Sequence, residues 1–462
     1  MELDVVIRNA EVVRPGVGAE AIELGIKDGK VAGYYARGTA PSALQEIDAT
    51  GKHVLPGVID PHTHYAYFLP HDQLFAAETP AAAIGGVTTV ISFSRSNGSY
   101  REVLDGWIRA GEENAYVDFS FHLGMLTEAQ LDDIGWAVTE HGLTSFKFYM
   151  GYKAAAAQQL GMAGGFTAGL MWQGFRRIAE YPGAIACVHA ENYELIERCY
   201  EDLKERSDAA AWAEGRPRFG EADAIDTVLR FAEAAGIPIY IPHMSAKEGL
   251  DPIAYYKARR PGVYAETLIA YLTHTVDSPA GLLVKVNPPV RTADHQEALW
   301  AAIADGRLDT VGSDNAPLTL GERKREGEDV WRLLPGFATS PFILPGLLSQ
   351  GVNEGRLTLE RVVELTSYNA ARIFGLYPRK GTLAIGADAD LVVVDLNLER
   401  EVSPALVKCR PDYTLYDGMR LRGWPVLTMV RGEVVARDFE VVGRRGHGQF
   451  LRRSAQPLPS AV

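Results

Sequence analysis

Val54-Leu55-Pro56-Gly57-Val58-Ile59-Asp60-Pro61-His62-Thr63-His64 is an apolar run that ends in two histidines one residue apart. In an extended strand, residues i and i+2 point to the same side, so His62 and His64 present both imidazoles to one face at the strand's end. From this run to about Tyr377, short apolar stretches alternate with Ala-, Leu- and Glu-rich helical ones, the rhythm of a parallel sheet with crossover helices. Eight strands are expected: Val54 to His62, Val87 to Phe93, Asp118 to Leu123, Ser145 to Met150, Ala184 to His189, Pro238 to His243, Gly262 to Glu266 and Asp309 to Asp314. Eight such units over roughly 300 residues predict a (β/α)8 TIM-like barrel of the α/β class rather than an open sheet. Stretches with 3.6-residue periodicity, such as Glu221 to Ala235, supply its outer helices.

The two ends of the chain have a different texture. Val5 to Arg8, Glu11 to Arg14 and Ile22 to Ile26 are short β-branched runs, the last followed by the turn signal Lys27-Asp28-Gly29-Lys30. Leu391 to Asp395, Val426 to Val430 and Glu433 to Ala436 repeat the pattern around the turn Arg431-Gly432. The expected organisation is a small β-sandwich domain built from residues 1–53 and 379–442, a barrel over 54–378 inserted between them, and a tail over 443–462. Segment 153–171, rich in Ala, Gly and Met, follows the fourth strand and reads either as a lid over the site or as a buried shell helix. The tail reads as a docked or partly disordered terminus.

The 462 residues carry 46 Lys plus Arg against 59 Asp plus Glu, a net charge of -13, which argues against a nucleic-acid binder. A hydrophobic share of 47% is ordinary globular composition. Cys187, Cys199 and Cys409 are too few and scattered for a disulfide framework or a thiolate zinc site, so a reducing cytoplasm is expected. No signal peptide and no run of 18 apolar residues is present, so neither secretion nor a membrane span is expected.

A lone His-x-His pair is weak support for a metal site. Its weight comes from His189, His243 and Asp314, which end the fifth, sixth and eighth expected strands, where a barrel gathers its catalytic side chains. Neutral imidazoles converging there suit a transition metal such as zinc. The other histidines, His53, His71, His122, His141, His274, His295 and His447, show no such pattern. Lys147 lies within the apolar fourth strand, Ser145-Phe146-Lys147-Phe148-Tyr149-Met150. Facing inward it would be pushed towards a neutral, nucleophilic amine able to take up carbon dioxide as a carbamate; facing outward it would snorkel to solvent. Spacing alone leaves both open.

Asp60-Pro61-His62-Thr63-His64, Ser145-Phe146-Lys147, Val188-His189-Ala190-Glu191-Asn192, His243-Met244-Ser245 and Gly312-Ser313-Asp314 resemble, in order, the metal motifs of the cyclic amidohydrolases. These are dihydropyrimidinase and hydantoinase, with allantoinase and dihydroorotase as cousins. Leu376-Tyr377-Pro378-Arg379-Lys380-Gly381-Thr382 and Gly386-Ala387-Asp388-Ala389-Asp390-Leu391 resemble that family's return to its β domain, so the likeness covers nearly the whole chain. It implies a binuclear centre of two divalent metals, zinc or else manganese, iron or cobalt. His62, His64 and Asp314 would hold one metal and His189 and His243 the other, with Lys147 carboxylated to N6-carboxylysine as the bridge. A metal-bridging hydroxide would then open the C–N amide bond of a cyclic ureide or imide. Asp314 would carry the proton, and Tyr152, five residues after the lysine, would donate to the oxyanion. The family also implies a homo-oligomer, tetramer or dimer.

For the substrate, the resemblance is less uniform. Dihydroorotases carry Arg directly after His-x-His, where this chain has Tyr65, whereas Asn287-Pro288-Pro289 is similar to the dihydroorotase segment rather than the Ser-Pro-Pro of dihydropyrimidinases. The hydantoinase asparagine that reads the ring has no counterpart in Leu334-Pro335-Gly336-Phe337. Asn287, Tyr152, Tyr149, Tyr67 and Leu69 are the expected substrate contacts, and the aromatic run Tyr65 to Leu69 implies a roomy apolar pocket suited to arylated rings. Allantoinase, dihydroorotase or lactam and imide hydrolysis are alternatives within the family. A catalytically silent scaffold and a mononuclear deaminase are the alternatives outside that activity.

Overall fold

The computed structural model describes residues 2–66, 69–153, 157–158 and 167–454. Eight parallel strands form one sheet in strict chain order: Val58–Thr63, Val87–Ser94, Asp118–Gly124, Ser145–Tyr149, Ile185–His189, Ile239–Ile241, Val263–Leu268 and Thr310–Gly312. The second strand is buried at all eight positions, as expected for a sheet covered on both faces. Closure between the last strand and the first runs through Asn315, whose N–H donates to His62 O (3.1 Å) and whose carbonyl accepts from His64 N–H (2.9 Å). Asp60 reinforces this seam, its carboxylate accepting from the hydroxyls of Ser313 (2.6 Å) and Ser340 (2.7 Å).

The expected outer helix appears as Arg218–Ala235, burying Ala224, Ile225, Val228, Leu229 and Ala232 at helical spacing and ending on a left-handed Gly236. Among the described residues, no helix is long and apolar enough to cross a membrane.

The chain ends build two further sheets. Leu3–Arg8, Glu23–Lys27, Lys30–Tyr35 and Ala43–Asp48 form a four-stranded sheet, with Asp28 and Gly29 at positive φ in its hairpin turn. Glu11–Arg14, Gly18–Ala21 and His53–Pro56 join Leu391–Glu401, Arg420–Val430, Glu433–Arg437 and Glu440–Val441 in a seven-stranded sheet that mixes both ends. Val5, Ile7, Leu24 and Ile26 meet Val54, Leu391, Val393 and Met429 in the core between them.

One expected strand is corrected. Val54 to His62 is two strands: His53–Pro56 pairs with Leu391–Val394 in the seven-stranded sheet, and the barrel strand starts at Val58. Gly57 makes the passage. Its N–H donates to Asp390 O (2.9 Å), and a Cβ there would meet Thr88 Oγ1 at 2.2 Å, so no side chain fits between the two sheets.

The described part of the tail docks under the barrel. Gln449 O and Leu451 N–H pair with Phe119, and buried Arg453 donates to Ser145 Oγ (2.8 Å). Residues 455–462 lie outside the described residues. Within segment 153–171 the same holds for 154–156 and 159–166, whereas Met171 is buried in the shell helix Ala168–Ile178.

Candidate metal centre and cleft

At the carboxyl ends of the barrel strands, the imidazoles of His62, His64, His189 and His243, the Asp314 carboxylate and the Lys147 amine come together. Ligand atoms of His62, His64 and Asp314 all lie within 4.8 Å of one another. His64 Nε2 is 2.9 Å and His62 Nε2 3.3 Å from Asp314 Oδ1. On the other side, His189 Nδ1 and His243 Nε2 face each other at 2.9 Å. The His62 and His243 rings, 5.1 Å apart, join the two groups. His243 and Asp314 both hold positive φ (44° and 53°), a conformation costly for residues with a side chain that recurs where side chains must be aimed.

Two carboxylates missed in the sequence fix these rings. Glu266, fully buried on the seventh strand, accepts from His62 Nδ1 (2.6 Å), His243 N–H (3.0 Å) and Tyr240 OH (2.8 Å). Gly312 leaves room for it, since a Cβ there would meet Glu266 Oε2 at 2.4 Å. Glu191 accepts from His189 Nε2 (2.7 Å) and from Arg216. Each carboxylate thereby leaves the opposite nitrogen of its histidine facing the centre, the arrangement that orients metal-binding imidazoles. The signal for Glu191 was its i+2 spacing from His189; for Glu266 the sequence offered only its place in the seventh strand.

Electrostatics fit a cation. Burial opposes a charge on His62, yet the Glu266 and Asp314 carboxylates raise it to about 9, so the pocket is short of positive charge. Burial would also raise Asp314, but His62 and His64 hold its carboxyl well below the usual range. Burial lowers His64 to about 4 and His243 well below normal, leaving neutral donors. Lys147 points inward, 1% exposed, 4.4 Å over the Phe93 ring, and its Nζ has no hydrogen-bond partner among the described residues. Burial pushes it down to about 8. His62 Nε2 likewise makes no hydrogen bond of proper geometry among the described residues.

His64, Lys147, His189, His243 and Asp314 floor a cleft. Tyr149, Tyr152, Val286, Asn287, Pro335 and Gly336 form walls, with Arg95 at the end of the second strand. Asn287 Nδ2 donates to Tyr152 OH (3.2 Å), while its buried Oδ1 has no partner among the described residues. The Tyr152 ring lies 4.9 Å from that of His189. Of the other expected contacts, Tyr67 lies outside the described residues. Leu69, partly buried, packs against the large core cluster just before helix His71–Ile84 and is not among the described residues that line the cleft. Tyr65 is also drawn into that core, fully buried against Phe75. Arg95 makes the described wall less apolar than expected, and no sequence motif pointed to it.

A family model described as the amidohydrolase family matches residues 53–435. The D-hydantoinase of Geobacillus stearothermophilus is 34% identical over 97% of this chain and 96% of its own. The L-hydantoinase of Paenarthrobacter aurescens is 34% identical over 97% and 98%. The crystal structure of dihydropyrimidinase from Brevibacillus agri superposes with a TM-score of 0.89 at 30% identity, over 98% of this chain and 99% of that one. With the His-His-Asp group and the barrel in place, these likenesses establish that the chain belongs to the amidohydrolase family, among its hydantoinases and dihydropyrimidinases.

Proposed function

We propose that the chain is a metal-dependent hydrolase that opens the C–N amide bond of a cyclic ureide or imide, of hydantoinase or dihydropyrimidinase type. The observation that carries this is the convergence of five ligand side chains near the Lys147 amine, which has no hydrogen-bond partner among the described residues, under a cleft walled by Tyr152 and Asn287. His62, His64 and Asp314 would hold one divalent ion and His189 and His243 a second, with carboxylated Lys147 between them; zinc suits the donors, as do manganese, iron and cobalt. Bound there, such ions would polarise the scissile carbonyl and acidify the attacking water.

The protein's own groups carry the rest. Asp314 stays ionised at neutral pH, so it can take the proton of the attacking water and return it to the ring nitrogen as the bond opens. The Tyr152 phenol donates to the carbonyl oxygen as it gains charge. Asn287 Oδ1, without a partner among the described residues, accepts a ring N–H. Glu266 and Glu191 hold the imidazoles in one tautomer. A homo-oligomer, dimer or tetramer, and a cytoplasmic setting for the three unpaired cysteines belong to the same reading.

The test is ring opening by the zinc-loaded protein across hydantoin, dihydrouracil, allantoin, dihydroorotate and an aryl-substituted imide. Opening of hydantoin or dihydrouracil, lost on chelation and regained with metal, is expected. A protein holding about two ions per chain that opens none of these rings would be a scaffold instead.

A further inference from the structure

Arg95 has no part in the ligand set, yet it lines the cleft directly after the second barrel strand, Val87–Ser94. Among the described residues that line the cleft it is the one arginine, in a protein whose net charge of -13 would otherwise repel an anion. The loop behind it is firmly held. Fully buried Gln130 donates through Nε2 to Ser96 O (2.7 Å) and Gly98 O (3.0 Å), while its Oε1 accepts from Leu126 N–H (2.7 Å). Asp133 accepts from Ser99 Oγ and Tyr100 N–H, both at 2.8 Å. The Arg95 stem and the Tyr149 ring close together over Gly124, where a Cβ would lie 3.2 Å from each.

Resting on the cyclic-amide reading above, we infer that Arg95 is an anion subsite and that the favoured substrates are cyclic ureides or imides whose ring carbon bears a short carboxylate side chain. Tyr152 follows the fourth strand and Asn287 the seventh, two and three places round the barrel from the second. A ring amide clasped by that pair turns its far edge towards Arg95 and Tyr149. There the planar fork can take a carboxylate through two parallel hydrogen bonds, which a neutral group of the same size does not match.

The experiment compares hydantoins carrying a 5-(2-carboxyethyl) or a 5-(2-carbamoylethyl) group, equal in size and different in charge, on the zinc-loaded full chain. The expected kcat/KM ratio, acid over amide, is at least about tenfold, equivalent to about 1.4 kcal/mol, and is carried mainly by KM. Arg95→Met collapses the ratio towards one, and Arg95→Lys, which keeps the charge, retains most of it. A wild-type ratio near one, an unchanged ratio in Arg95→Met, or an equal loss on both substrates with a lower melting temperature overturns the subsite. If the amide hydantoin is opened in any of these cases, the cyclic-amide reading stands without the subsite. If the loaded enzyme opens neither ring, both fall together.

Discussion

Replacing Glu266 by Gln removes a charge from beneath the candidate metal centre while keeping its hydrogen bonds. The carboxamide oxygen can take the place of Oε1 and accept from His62 Nδ1 (2.6 Å) and His243 N–H (3.0 Å). The amide nitrogen then faces Tyr240 OH, which can accept from it and donate to Thr310 Oγ1 at 2.6 Å. The rings stay aimed, but the hydrogen bond that raises the basicity of His62 becomes neutral and about half as strong. Loss of such a partner typically costs 10- to 100-fold in metal affinity, about 1.4–2.7 kcal/mol. Glu266→Ala, by contrast, leaves His62 Nδ1 and His243 N–H short of an acceptor, while Tyr240 OH can still donate to Thr310 Oγ1. At roughly 1–3 kcal/mol for each buried group left unpaired, it should also lower the melting temperature of the metal-free protein. Chelator competition with metal counted by mass spectrometry, together with calorimetric melting, reads both effects. Metal affinity in Glu266→Gln within twofold of wild type, or wild-type melting in Glu266→Ala, would refute the role assigned to this carboxylate.

Further outcomes follow from the same geometry. Lys147→Ala should lower metal occupancy and activity, with partial rescue by short carboxylic acids; intact wild-type protein should carry the mass of one extra carboxyl group, lost on acidification. Unchanged metal content in the variant would remove Lys147 from the centre. Asp314→Asn should cut turnover by about 10²-fold or more, the scale of a lost general acid–base group, while metal analysis still finds near-normal occupancy. Substantial remaining activity would remove Asp314 as the proton carrier. Gly57→Ala forces a Cβ to 2.2 Å from Thr88 Oγ1 and should cost about 1–3 kcal/mol, read as earlier urea unfolding; an unchanged midpoint would show that the two sheets can part there.

The barrel was legible because its strands are continuous apolar runs and its helices keep a 3.6-residue period. Strand ends were less so: the run from Val54 to His62 is uninterrupted in hydropathy, and only the Asp390 and Thr88 contacts of Gly57 show that it serves two sheets. The aromatic run Tyr65 to Leu69 reads as the wall of an apolar pocket, but the same apolar character buries Tyr65 fully in the core and packs Leu69 partly against it beside helix His71–Ile84.

By itself, the sequence determined the alternation of strand and helix, the strand-end placement of His62, His64, His189, His243 and Asp314, and the chemistry those side chains can support. A period of two along a strand and the C-terminal face of a parallel barrel are local rules, so they can be applied to a one-dimensional pattern. Only the tertiary structure decided that Lys147 points inward, that Glu266 and Glu191 hold the imidazoles, and that Arg95 reaches the cleft. These depend on contacts between residues far apart in the chain, such as Glu266 with His62 and Asn315 with Thr63, where packing and the space left by Gly312 decide which side chain meets which.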